Sequence, residues 1–271
     1  MRAMSTVVDV SLFLLLLSGA LVAFTLPPTV DDQPPDAEAE AQALATSTTA
    51  VTVPHSPGEE THHRGTYAAL VADAAVANLT GPEGRDESVA TQAIETAVAN
   101  ATRRSDAHVA VTAKWVPYPG APLDGCFAVG RTPPERTPAH TATLTVPSGM
   151  PEARTIATDA AGREGYAGVA TVVAAAIVEG YVAPNSQLEP RRNDPAALAA
   201  RRRAQRLAAV LGVNIEDALA VGDRDTVRRV LREALKSHLE ADLRASFATP
   251  QEAARAISVS TVRLTVTVWA A

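Results

Sequence analysis

The stretch Val259–Val268, VSTVRLTVTV, decides how the chain is read. Val262, Leu264, Val266 and Val268 alternate with Arg263, Thr265 and Thr267. Successive side chains on a strand point to opposite faces, so this period of two predicts a strand with one apolar and one polar face. Such a strand needs partners, and three earlier stretches can supply them. In His108–Trp115, HVAVTAKW, Val109, Val111, Ala113 and Trp115 face one way, and His108, Ala110, Thr112 and Lys114 the other. Cys126–Val129 is a short apolar run, and TATLTV at 141–146 alternates again. The intervening GRTPPERTP is turn or loop by composition. The expectation is an antiparallel sheet with strands near 108–116, 126–130, 140–146 and 259–268, the last joined to the others non-locally.

The other segments read as helices. Thr66–Leu79 places Leu70, Ala74 and Ala77 on one face with Tyr67, and Gly81-Pro82 ends it. A second helix starts at Asp86 or Ser88 and runs to about Thr102. The two end alike, in AVANLT (75–80) and AVANAT (97–102). Ala161–Val178 has no charge from Gly165 onward; about 14 residues is short for a membrane span and fits a central buried helix. Asn193-Asp194-Pro195 starts a helix to Leu211, followed by Gly212. Another opens at Asp225, with Val227, Val230, Leu231, Ala234, Leu235, Leu239 and Leu243 at helical spacing, and a short one follows Pro250. The 161–179 helix should pack on the sheet's buried face, with 194–211 and 225–245 outside it. The fold class is therefore α+β.

Residues 27–64 are rich in Pro, Asp, Glu, Ser, Thr and Ala and poor in large apolar groups. Too little apolar area is present to offset ordering entropy, so the stretch reads as a flexible acidic spacer. Its two second readings are a short helix at Glu38–Leu44 and a short strand at Ala50–Val53. Before it, Val10–Leu26, VSLFLLLLSGALVAFTL, carries no charge and stops at Pro27-Pro28. At 1.5 Å per residue this length nearly crosses a bilayer core. Arg2 is the only basic residue before it; Asp31, Asp32, Asp36, Glu38 and Glu40 follow, with no Lys or Arg until Arg64. That asymmetry points to a cytoplasmic N-terminus and an outer C-terminal part. Three readings of the run stand: an uncleaved signal anchor, a signal peptide cut near Ala20 or Ala23, and a retained helix packed against sister helices. The expected domains are a transmembrane anchor at 1–26, the spacer at 27–64 and an extracytoplasmic α+β domain at 65–271.

The start AMSTVVDVSLFLLLLSG, residues 3–19, resembles the N-terminus of type IV pilin-like proteins, specifically Tad-type pseudopilins. In these an acidic residue follows a Ser/Thr-Val step just before the apolar helix. The resemblance implies membrane lipid and pilus or secretion-system membrane proteins as partners, oligomerisation through the N-terminal helix, and Asp9 as the assembly residue. A carboxylate costs about 2.5–3.5 kcal/mol at mid-membrane and far less at the headgroups, so Asp9 is either interfacial or paired with a positive group of a neighbour. The chain departs from the pattern at the cleavage position, where Met4 stands five residues before Asp9 and Ala3 six. Basic residues number 24, of which only Lys114 and Lys236 are lysines; net charge is −6 and aromatics are 4%. With the pilin-like start, this balance resembles uncharacterised haloarchaeal surface proteins that accompany pili or secretion systems.

Nothing in the chain assembles a catalytic motif. G-x-G-x-x-G, the P-loop, G-x-S-x-G, H-E-x-x-H and calcium-loop spacings are absent. Cys126 is the single cysteine, which excludes an intramolecular disulfide and a paired-cysteine zinc site, and it reads as a small buried hydrophobe beside Phe127. His55, His62 and His63 lie in the spacer, and His108, His140 and His238 have no evident partners, so solvated or structural roles are expected. Asp223 and Asp225 read as helix caps rather than cation ligands. Arg191, Arg192, Arg201–Arg203, Arg206, Arg224, Arg228, Arg229 and Arg232 cluster, but acids interleave and no aromatic platform accompanies them, so nucleic acid is not expected. Asn78-Leu79-Thr80 and Asn100-Ala101-Thr102 are N-x-T sequons and candidate glycosylation sites. The chain reads as a non-enzymatic surface protein with no cofactor and no metal, a pseudopilin-like or accessory assembly component. The alternative is a membrane-tethered solute- or polymer-binding domain.

Overall fold

The computed structural model describes residues 36–56, 59–80, 89–103, 107–182 and 195–271. In order these form α1 (Ala37–Thr46), β1 (Thr48–Ser56), β2 (Glu59–Thr66), α2 (Tyr67–Ala77), β3 (Leu79–Thr80), α3 (Val89–Ala101), β4 (Ala107–Trp115), β5 (Asp124–Val129), β6 (His140–Pro147), α4 (Arg154–Val182), α5 (Pro195–Leu211), α6 (Glu216–Ala220), α7 (Arg224–Ser246), α8 (Pro250–Ala256) and β7 (Thr261–Ala270). The class is α+β with antiparallel sheets, as the period-two segments required. The apolar N-terminal run and Asp9 lie outside the described residues.

Five strands form one sheet in the order β3-β5-β4-β7-β6, every neighbour antiparallel. β7 pairs on one side with β4, from Ala107↔Ala270 to Trp115↔Val262, and on the other with β6, from His140↔Val268 to Pro147↔Thr261. The alternation in the sequence maps onto two faces. Val111, Ala113, Trp115, Phe127, Val129, Ala142, Val146, Val262, Leu264, Val266 and Val268 are buried on one side. Trp115 is wholly enclosed, and its indole N–H donates to Val259 O at 2.8 Å, so burying its large ring leaves no polar group unpaired.

The helices in closest contact with the strands are α1 and α2. This corrects the expectation that the 161–179 helix covers the sheet. α2 lies close because its sequence is small: YAALVADAAVA buries Ala68, Leu70, Val71, Ala72, Ala74, Ala75 and Val76. Across from it β5 supplies Gly125, where an added Cβ would stand 2.2 Å from Ala75 O. An alanine-rich helix thus meets a strand where only a hydrogen fits. α2 starts on the Thr66 cap, whose Oγ1 accepts from Ala69 N at 3.1 Å.

The described residues from 36 to 64 depart from the reading as one flexible spacer and match its two second readings, the short helix at Glu38–Leu44 and the short strand at Ala50–Val53. The chain joins the folded unit from Asp36, whose carboxylate caps α1 by accepting from Glu38 N at 2.9 Å and Ala39 N at 3.2 Å. β1 and β2 then form an antiparallel hairpin, Thr48↔Thr66 to Val53↔Thr61. α1 buries Ala37, Ala41 and Leu44, and Val51 and Val53 join the same core, so few apolar residues suffice where the rest of the domain provides the surface.

α4 is two limbs rather than one rod. Gly165 takes φ 63°, ψ −143°, which is not helical and is open to glycine. Two close approaches show a fold-back: a Cβ on Gly168 would lie 2.8 Å from Ala160 O, and one on Gly180 2.6 Å from the Met150 side chain. Both pairings centre near residue 165, the signature of an antiparallel helical hairpin. The apolar stretch that looked like a single 161–178 helix is therefore bent back at its fifth residue. Arg154–Val182 is the one described helix with the length and hydropathy of a membrane span, but 56% of its most apolar window is buried in the protein and the limbs reverse at Gly165. Its second limb is half of a packed hairpin, as a core helix would be.

Against α4 pack α7 and α8. α7 buries Val227, Leu231, Leu235, Leu239 and Leu243, one residue in every four, each at most 4% exposed. Such an i, i+4 row is the ridge that one helix sets into the groove of another. Of the two acids read as caps, Asp223 is the one that caps it; Asp223 Oδ1 accepts from Thr226 N at 3.0 Å. Tyr166, just past the Gly165 bend, donates its hydroxyl to Phe247 O at 2.7 Å and ties the bend to the end of α7.

Candidate functional site

The outward face of the sheet gathers the polar half of every strand. Thr112, Thr265 and Thr143 stand in one row across β4, β7 and β6, and Thr267 and Thr141 in the next. Lys114 and Arg263 are directly opposite, a like-charge pair that costs some stability, and Lys114 also lies 4.0 Å from Asp124. The exposed pair at 4.0 Å relieves that repulsion only weakly. At the other end of the face His108 is opposite Trp269, their rings 5.5 Å apart. Thr112, Lys114, Thr141, Thr143, Thr145 and Arg263 are exposed. The face is a field of hydroxyls with cations at one end; toward the other, Thr265 and Thr267 are half-buried and the Trp269 ring is buried beside His108. It can accept and donate hydrogen bonds to a polar polymer or to another polypeptide.

Cys126 belongs to this outward face, opposite Lys114 and half-buried. It is not the buried neighbour of Phe127 that the sequence suggested, because adjacent strand residues point to opposite sides.

The two sequons part company. Asn78 is 6% exposed; its Nδ2 donates to Cys126 O at 3.2 Å and its Oδ1 accepts from Thr91 at 3.4 Å. The nitrogen a glycan would occupy is spent joining α2 to β5, so in the folded chain Asn78 is a structural residue. Asn100 is exposed near the end of α3, with Oδ1 accepting from Arg103 Nη2 at 3.2 Å.

A second polar constellation is internal. Tyr118 is fully buried beside Phe247, ring centroids 6.1 Å apart in an edge arrangement, and its hydroxyl faces Asp242 of α7. Burial first, then the neighbouring Asp242 carboxylate, push the phenol well above its ordinary pKa. Among the described residues the Tyr118 hydroxyl and Asp242 Oδ2 make no direct hydrogen bond. A phenol and a carboxylate are the parts of an acid–base couple, but a wholly enclosed phenol meets no substrate. Tyr118 packs the loop after β4 against the end of α7 through its ring contact with Phe247.

The remaining candidates disperse. His62 is exposed on β2, its Nδ1 3.0 Å from Thr52 Oγ1, and His63 beside it is half-buried, so these histidines sit on a hairpin rather than in a spacer. His140 and His238 are exposed. Among the described residues no three His, Cys, Asp or Glu side chains converge as a metal site would need. Of the clustered arginines, Arg206 turns inward and donates to Ala77 O at the end of α2, while Arg201, Arg202, Arg224, Arg229 and Arg232 are exposed on α5 and α7. Arg203 lies near Asp73 of α2, as does His63. Crowding by neighbouring elements raises the Asp73 pKa, and those two positive groups pull against it. Asp223 and Glu152 are held below the ordinary carboxylate range, the first mainly by Thr226 N–H and the second mainly by the Ser260 hydroxyl at 2.7 Å.

What these features define is a small α+β protein whose presented surface is an antiparallel sheet face. The chain belongs to a family of unknown function, DUF7284, whose model matches residues 8–269. No curated protein and no solved structure matches it.

Proposed function

We propose that the chain is a non-enzymatic, membrane-anchored surface protein, with a cytoplasmic N-terminus and an outer α+β domain, that serves as a pseudopilin-like or accessory component of a pilus or secretion assembly. The supporting observation is the span of the family match. It begins at residue 8 and runs through the uncharged Val10–Leu26 to residue 269, so the apolar run and the α+β domain recur as one unit. The Lys/Arg asymmetry sets the orientation. In this reading Asp9, at the cytoplasmic edge of the run, registers one helix against the next. Asn100 is the surface sequon available to a glycan.

N-terminal mass analysis of the native protein tests the reading. Loss of three or four residues supports pilin-type processing, and an intact start supports a plain anchor. Loss of about 20 or more residues, matching an h-region of signal-peptide type, overturns anchoring. Asp9→Ala should insert normally but lose co-fractionation with its assembly; unchanged assembly sinks the registration role. The threonine-rich sheet face favours one second reading, a tethered polymer-binding domain. Thr112→Val with Thr265→Val should then abolish retention on the immobilised polymer while pilus assembly is unaffected.

A further inference from the structure

We propose that β6 is a docking edge for a second copy of this chain: two β6 strands pair antiparallel across a twofold axis and join two five-stranded sheets into one. The proposal begins with what β6 lacks. It is the outermost strand and pairs with β7 alone, so the N–H and C=O groups on its other side have no strand partner among the described residues. Natural edge strands are guarded by brevity, charge, proline or a bulge. HTATLTVP runs for eight residues with no Lys, Arg, Asp or Glu, has its only proline at the last position, and keeps an unbroken register with β7. The opposite edge is treated differently. There β3 is only two residues long, and β5 carries Asp124 and Gly125.

The strand is also complementary to itself. Antiparallel neighbours must put like faces together, so only registers that set odd positions against odd and even against even are allowed. In those, Thr141, Thr143 and Thr145 meet threonines on the outward face, and Ala142, Leu144 and Val146 meet apolar residues on the buried face. No like charges oppose one another, and the contact is isologous and closes as a dimer.

A single strand pair is a small interface, and in dilute solution it would be weak. The chain outside the structure supplies the rest, and here the proposal rests on the membrane-anchored reading. Only residues 27–36 separate the apolar run from α1. Ten residues span at most ~35 Å. Every copy's β6 would therefore lie in one thin layer above the membrane, which raises the effective concentration of one edge for another.

The test uses the full chain in native membranes with Cys126→Ala, and cysteine substituted at Thr141, Thr143 and Thr145 singly and in pairs. Mild oxidation should give a species of twice the chain's mass in at least one variant, because facing residues of antiparallel strands lie within disulfide reach. Thr112→Cys, on the same face but two strands inward, should give none. Adding Thr143→Lys to the variant that cross-links through other positions should abolish the dimer while leaving the thermal midpoint unchanged. Absence of dimer in every variant, with the protein still in the carbonate-washed membrane pellet, overturns the pairing. So does cross-linking to a different polypeptide instead. Release by carbonate counts against the anchor, not the edge. The same variants are then oxidised in concentrated solution, where absence of dimer overturns the pairing by itself.

Discussion

Two hexapeptides in this chain, AVANLT at 75–80 and AVANAT at 97–102, differ at one residue and end in opposite environments. Both close a helix. After Asn78 the chain enters β3, and Leu79 is wholly buried against β5. After Asn100 the helix continues through Ala101, and Thr102 turns its hydroxyl back to Val98 O at 2.9 Å. Alanine is the best helix former and adds little apolar area, so nothing draws residue 101 out of the helix. Leucine in the same place gains by leaving for the core. The shared AVAN brings each helix to its end; the next side chain decides whether the asparagine is a surface group or an internal link.

Four experiments press on this contrast, in decreasing order of effect. Leu79→Ala should cost about 2–5 kcal/mol in denaturant unfolding, whereas Ala101→Leu should fall within about 0.5 kcal/mol of wild type. Comparable losses at the two sites would break the comparison. Gly125→Ala, on the strand that receives the buried copy, sets a methyl 2.2 Å from Ala75 O; backbone cannot give way there as a side chain can, and about 3 kcal/mol should be lost. Asn78→Ala removes the bonds that Asn78 makes to the Cys126 carbonyl and the Thr91 hydroxyl and should cost about 1–3 kcal/mol, while Asn100→Ala stays within about 0.5. If the native protein is glycosylated, intact mass should drop with Asn100→Gln and not with Asn78→Gln.

The smallest effect is a pH dependence on the buried copy's own helix. Asp73 is solvent-exposed, yet partial desolvation by its surroundings raises its pKa above the unfolded value of 3.8, so folding weakly favours the protonated acid. Wild type then loses stability as pH rises from the unfolded pKa through the folded one, and Asp73→Asn does not. The variant should gain over wild type at pH 7 relative to pH 3 in thermal melts. A gain that is larger at pH 3 would reverse the sign and remove desolvation as the dominant cause.

The legible parts of the fold were those with a strong period and a single solvent boundary. β4 and β7 announced themselves by alternation. α5 and α7 could be read to within two residues from their caps and apolar stripes. α4 could not, because an uninterrupted apolar run looks the same whether it is one helix or the inner limb of two, and Gly165 reads equally as a packing glycine or a reversal. Of the β1–β2 hairpin only Ala50–Val53 was legible, as a second reading, and its partner strand was hidden for the converse reason. Its residues, such as EETHHRGT, are polar on both sides, and the few apolar positions that dock it are spread over α1 and β1. The surface was less legible still. Cys126 was misplaced and the burial of Asn78 went unread because face and burial follow from strand register across distant segments, which local spacing does not carry.

β7, finally, has a consequence for the order of assembly. It lies between β4 and β6 and is, among the described residues, the only strand partner of β6, yet it is made more than a hundred residues after either. While the chain is being synthesised or exported, the threonine-rich strand at 140–147 has nothing to pair with until residues 261–270 emerge. Long-range strand pairing of this kind closes slowly and leaves edges exposed in the interval. The helical hairpin of α4, whose contacts are local, can form during that wait. The protein therefore has a built-in vulnerable period, and its length is set by how fast the segment from α4 to α8 is delivered.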